Sequence, residues 1–232
     1  MSVALNRQRT YAILQVFAVA GAYIAISTAA ARGLDASFLF PADWSSVERA
    51  TGSGFLIGAI VQLALVLLAA YLLRSKELRT AIAASVAPST PQAWLVAAIA
   101  TAIHVGTALL VYLPQPGRVL DASGLNLILS FAAAPDGWTQ EVMFRGYVLF
   151  RLSRAKVFPL AQVLVSGALF SAIHFGYTGN TAWQFLSPLV GTFTLGCFYA
   201  WAVQIGRGSL KPVICCHVLI ILITQPWLAL AR

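Results

Sequence analysis

Apolar residues dominate seven stretches of the chain: Tyr11–Ala31, Gly54–Leu73, Gln92–Leu113, Gly124–Phe150, Val157–Tyr177, Gln184–Ile205 and Val213–Ala231. A helix needs about 20 apolar residues to cross roughly 30 Å of hydrocarbon, so each stretch reads as a crossing. The pattern predicts an all-α fold, a polytopic integral membrane helical bundle with about seven transmembrane helices. Polar segments separate the runs. Arg32–Ser53 holds Asp35, Pro41, Asp43, Trp44, Glu48 and Arg49 and reads as an external loop with interfacial aromatic residues. After the second run come the basic stretch Arg74–Arg79 and then a loop or short surface helix punctuated by Pro88 and Pro91. Pro114–Asp121 and Thr178–Thr181 read as outer turns, and Arg207–Pro212 as a tight inner one. Pro135, Asp136 and Gly137 interrupt the fourth run, because Pro removes a donor and Gly weakens a helix. The fourth helix is therefore expected to be broken or kinked just before Gln140, where neighbouring protein or water satisfies the freed backbone.

Composition agrees: 59% of the 232 residues are hydrophobic and 9% are charged, which excludes an ordinary soluble domain. The net charge of +8 does not point to nucleic acid, because the basic residues cluster at the ends of apolar runs, as they do at cytoplasmic membrane faces. Arg7 and Arg9 before the first run place the N-terminus in the cytoplasm, and the run itself reads as a retained span. Cys197, Cys215 and Cys216 lie in apolar runs without metal or redox spacing and read as inert, buried thiols. We treat 1–232 as a single membrane domain, with generic membrane helices over 1–123 and a motif-bearing core over 124–232.

The chemistry concentrates in Trp138–Arg151. Glu141 and Arg145 are four apart, which puts them on one helical face roughly 6 Å from each other, with Gln140 beside them. Ionisable groups at bilayer depth cost several kcal/mol and mark functional sites by default. His174 and His217 come from two further apolar runs, so a shared polar site is the economical explanation. Glu with His can hold and deprotonate water, and a second His can donate to the oxyanion of an attacked carbonyl. A zinc site built from Glu141, His174 and His217 has suitable ligand chemistry too, although no H-E-x-x-H pattern supports it. A structural ion pair is the plainer reading of Glu141 and Arg145. His104, isolated in the third run, reads as a packed histidine bonded to a backbone carbonyl.

Three motifs resemble the CAAX protease and bacteriocin-processing family of intramembrane proteases. Q-E-V-M-F-R-G (Gln140–Gly146) resembles its E-E-x-x-x-R motif, F-S-A-I-H (Phe170–His174) its F-x-x-x-H motif, and G-S-L-K-P-V-I-C-C-H (Gly208–His217) the approach to its third motif. The resemblance spans roughly residues 134 to 221. It implies a peptidase of a bacterial or archaeal cell membrane that acts on a peptide or the C-terminal tail of a membrane-associated protein, with water activated by Glu and His and no cofactor or obligatory metal. The catalytic set it implies is Glu141 as base or base orienter, His174 as water partner, His217 as oxyanion donor, Arg145 as electrostatic support, and Gln140 at a substituted base position.

Two positions depart from the family pattern. Gln140 replaces the first acid, the family's general base, and a carboxamide takes no proton at neutral pH. Ile221 stands where an Asn or Asp follows the third-motif His by four. An inactivating Glu-to-Gln change, a natural pseudoprotease that holds a peptide without cutting it, and an active enzyme whose base is Glu141 or Asp136 all remain open. Asp136 shares the face of Gln140 only if the helix continues through Gly137. Depth sets a further condition. His174 lies 18 residues beyond Lys156 and His217 six beyond Lys211, roughly 27 and 9 Å at helical rise. They meet only if Arg207–Pro212 dips inward or the fifth helix starts below the surface.

Overall fold

The structure, a computed structural model, describes residues 3–40, 42, 46–112, 124–177 and 181–224. Those residues form helices joined by turns, without strands: α1 Val3–Gly33, α2 Ser46–Leu67, α3 Lys76–Ala84, α4 Pro91–Tyr112, α5 Gly124–Glu141, α6 Leu149–Arg154, α7 Pro159–Ala172, α8 Ala182–Ile205 and α9 Lys211–Thr224. Among the described residues, four segments are long and apolar enough to cross a membrane, Asn6–Gly33, Gly52–Leu72, Pro91–Leu110 and Phe185–Ile205. Pro159–Phe175 and Lys211–Thr224 are shorter apolar helices. The expected turn at Pro114–Asp121 lies outside the described residues, as do positions 178–180 of the Thr178–Thr181 turn and the chain beyond Thr224.

The polar segment Arg32–Ser53 is less of a loop than expected, since α2 already begins at Ser46. Charged side chains lower the hydropathy there, but backbone hydrogen bonds hold a helix without apolar side chains. The short turn before α2 docks onto it through the Ala36 N–H, which donates to Ser53 Oγ at 2.7 Å. Along α1 the buried positions Ala12, Val16, Ala20, Tyr23 and Ser27 follow helical periodicity and form the stripe that faces the protein. From that stripe Tyr23 donates its hydroxyl to Gln62 Oε1 of α2 at 2.6 Å.

The fourth run departs from the expected break. Pro135 sits inside a continuous α5, and the winding loosens only after Glu141, into a fully buried π-helical stretch at Val142–Val148. π-turns are rare and recur at functional sites. The α5 helix packs between α2 and α9. Its Gly137 permits the close approach to α9: a Cβ there would lie 3.1 Å from the Val218 side chain and 3.2 Å from Ile221. Ile221, where the family pattern has a polar residue, is therefore a buried packing residue against α5.

The short amphipathic α3 realises the surface-helix expectation. Ser75 caps it by accepting from the Leu78 N–H, and its buried Leu78 and Ala81 press on the π-helical stretch, where a Cβ on Gly146 would overlap Ala81. Beneath it the α8–α9 turn is tucked in. Leu210 N–H donates to Ala84 carbonyl at 3.0 Å and Ser209 Oγ to Ala87 carbonyl at 2.8 Å, with Ser209 and Leu210 both buried. These hydrogen bonds tie the start of α9 to α3. The α7 and α8 helices approach closely at Gly167 and Gly196, as small residues allow in membrane bundles.

Candidate active site

The start of the π-helical stretch, α7 and α9 each contribute to one buried cluster. Glu141 ends α5, and Arg145 lies four residues on; neither side chain is exposed, and Arg145 Nη1 is 3.1 Å from Glu141 Oε1. That burial excludes a lipid-headgroup role for Arg145. From α9, His217 Nδ1 lies 2.7 Å from the same Glu141 oxygen. A carboxylate only accepts, so in this pair the imidazole is the donor. Charge-assisted contacts of this kind are short and strong.

His174 reaches the cluster through Phe170. Its Nδ1 lies 2.7 Å from the Phe170 carbonyl one turn earlier, and a carbonyl also only accepts. Nδ1 is therefore the donor in this contact. Phe170 is the platform of the site: the His174 ring centre lies 4.7 Å and the His217 ring centre 5.4 Å from its own, both edge-on. Laid end to end, those distances bound the separation of the two imidazoles at about 10 Å, within reach of one water and its hydrogen-bonded neighbours. The Arg145 guanidinium lies 3.9 Å from the centre of the same Phe170 ring, over its face.

Gln140 adjoins the cluster as the chain neighbour of Glu141. Gln140 Oε1, Asp136 Oδ1 and Glu141 Oε2 are buried oxygens that find no hydrogen-bond partner among the described residues. Because α5 is continuous, Asp136 does share the face of Gln140.

Other expectations fared differently. His104 makes no backbone bond among the described residues; it packs at 3.9 Å from the Cβ position of Gly191 and lies within electrostatic reach of His174 and His217. His174 is the histidine held by a carbonyl. Cys215 is exposed rather than buried, because it sits on the outward face of α9, while Cys216 is buried and Cys197 intermediate. Among the described residues no group of three or more His, Cys, Asp or Glu is placed to hold a metal ion, so the Glu141–His174–His217 zinc set is not assembled there.

Sequence reasoning missed the supports. Tyr199 Oη shares a 2.6 Å hydrogen bond with Thr101 Oγ1 and sets its ring beside His217 and Arg145. On the other side Thr139 donates to Gln62 Oε1 at 3.4 Å, joining the Tyr23–Gln62 pair. A lone Gln in the apolar second run was the available signal.

No curated protein and no solved structure matches the chain. A family model does, that of the Rce1-like proteins described as type II CAAX prenyl endopeptidase Rce1-like, over residues 122–223. The matched residues include Gln140, Glu141, Arg145, His174 and His217, so over this segment the chain is similar to the type II CAAX prenyl endopeptidase Rce1-like family.

Proposed function

We propose that this protein is an intramembrane peptidase that hydrolyses a peptide bond near the membrane, in the C-terminal tail of a membrane-associated protein. The name of the matched family points to prenylated CAAX tails as the first substrate class to try. The observation that carries the reading is the 2.7 Å contact of His217 with Glu141 in a site where Glu141 is wholly buried. Glu141 acts as an orienter. One of its oxygens is shared by Arg145 and His217, which fixes the His217 ring and leaves its Nε2 to serve an oxyanion. His174, held at Nδ1 by the Phe170 carbonyl, serves as the partner of the attacking water. Phe170, under both imidazoles and Arg145, keeps these groups in register.

Purified protein in detergent micelles, supplied with an internally quenched farnesylated CAAX peptide, tests this. Cleavage is expected, and His174→Ala and His217→Ala should each lower kcat by about 10²-fold or more, the range for groups that position a reacting water or donate to an oxyanion. Equal rates in the wild type and both variants would overturn the assignment. Retained peptide binding without cleavage, in the wild type and in Gln140→Glu, would replace the peptidase with a binding or immunity protein.

A further inference from the structure

Asp136 has no role in the arrangement so far, yet it is among the most expensive residues in the molecule. It is 9% exposed and Gln140 8%, so both side chains are at least nine-tenths buried in a segment surrounded by apolar helices. Asp136 Oδ1 and Gln140 Oε1 find no hydrogen-bond partner among the described residues, and no cation there pairs with Asp136. Burying a carboxyl without a partner costs several kcal/mol, and such groups inside membranes mark proton or substrate paths.

Position narrows the use. Asp136 lies one turn before Gln140 on the same face of an unbroken α5, and Gln140 is joined directly to Glu141. The Tyr23 phenol lies within electrostatic reach of both Asp136 and Glu141, so the two carboxyls border one region between α1 and α5. Asp136 and Glu141 are the buried carboxyls among the described residues. Glu141 is engaged by Arg145 and His217, whereas Asp136 is engaged by neither.

We infer that Asp136 is the catalytic proton acceptor, with the Gln140 carboxamide holding the water between it and the scissile bond. This rests on the peptidase reading and places the base one helical turn before the position where the family pattern has its first acid. Water passes a proton to an Asp136 oxygen as its own oxygen bonds to the carbonyl carbon, and the carbonyl electron pair moves onto oxygen, facing His217. When the C–N bond breaks, that pair returns and Asp136 delivers the proton to the departing nitrogen. The products are a carboxylic acid and an amine, with Asp136 as it began.

The test moves the carboxylate along the face. With the quenched farnesylated peptide, Asp136→Asn is expected to lower kcat by about 10²-fold or more while KM stays within about threefold. The double variant Asp136→Asn/Gln140→Glu is expected to regain most of the lost rate, because it restores a carboxylate one turn away on the same face. Asp136→Ala with added formate, a carboxylate small enough for the vacated space, gives a second route to recovery. An Asp136→Asn rate within about threefold of wild type overturns the inference, as does failure of both the double variant and formate to recover activity. Cleavage by Gln140→Glu with an inactive wild type overturns this inference alone. Cleavage by neither protein overturns the peptidase reading as well.

Discussion

Replacing Arg145 by Met isolates the electrostatic frame of the site. The guanidinium is wholly buried, 3.1 Å from Glu141 and 3.9 Å from the centre of the Phe170 ring, while Met fills a similar volume without charge. Removing one member of a buried ion pair strands the other, a change that costs about 3–5 kcal/mol. The lost cation–π contact, about 2 kcal/mol where desolvated, is part of that loss. The companion Glu141→Gln/Arg145→Met removes both charges and keeps an acceptor for His217. Its loss of stability should therefore be smaller than that of Arg145→Met alone, giving a coupling of about 1–3 kcal/mol in a double-mutant cycle. Reversible unfolding in mixed detergent micelles, followed by tryptophan fluorescence, measures all four proteins. Arg145→Met within about 0.5 kcal/mol of wild type, or strictly additive losses, would refute the argument that the pair acts as one buried unit.

Two further perturbations probe separate parts of the molecule. Gly137→Ala places a Cβ 3.1 Å from the Val218 backbone N and side chain, so α9 must move by a few tenths of an ångström and lengthen the 2.7 Å Glu141–His217 contact. Crowding of about 1 kcal/mol is offset by the helix propensity of Ala, so the expected result is near-native stability with kcat down about tenfold; unchanged kinetics would show that α5–α9 spacing does not set the site. Outside the spans, the Ser37 N–H at 2.8 Å holds the exposed Asp35 carboxyl below the usual range. A depressed folded-state value means that its small stabilisation is present above the unfolded-state pKa and disappears as pH falls through the folded one. Asp35→Asn should therefore flatten the acid limb of a thermal-stability profile, and an identical limb in the variant would remove Asp35 from the account.

Much of the fold was legible because a bilayer imposes a simple rule: backbone polar groups must be satisfied within the segment, so long apolar runs become helices. That rule located the long helices of the first half and α8. It failed where polar side chains sit on a continuous backbone. Asp and Glu near Ser46 looked like a loop although the helix had begun, and Pro135 with Gly137 looked like a break although neighbouring helices support α5 through it. The family motifs marked Glu141, Arg145, His174 and His217 because their chemistry is out of place in apolar runs.

Which of those groups touch was decided by packing. From the sequence alone, His174 and His217 stood at incompatible depths. In the fold both pack on the Phe170 ring, and the turn that leads into α9 is tied to α3 by hydrogen bonds to Ala84 and Ala87, contacts between segments more than 120 residues apart. Gln62, Tyr23, Thr101 and Tyr199 carry no motif, and only the crossing of their helices makes them supports. The continuity of α5 likewise put Asp136, whose Oδ1 has no hydrogen-bond partner among the described residues, on the face of Gln140. Residue types determined what chemistry the chain contains, because desolvation makes every buried charge costly. The meeting of distant helices determined which of those groups pair, as Glu141 does with Arg145 and His217.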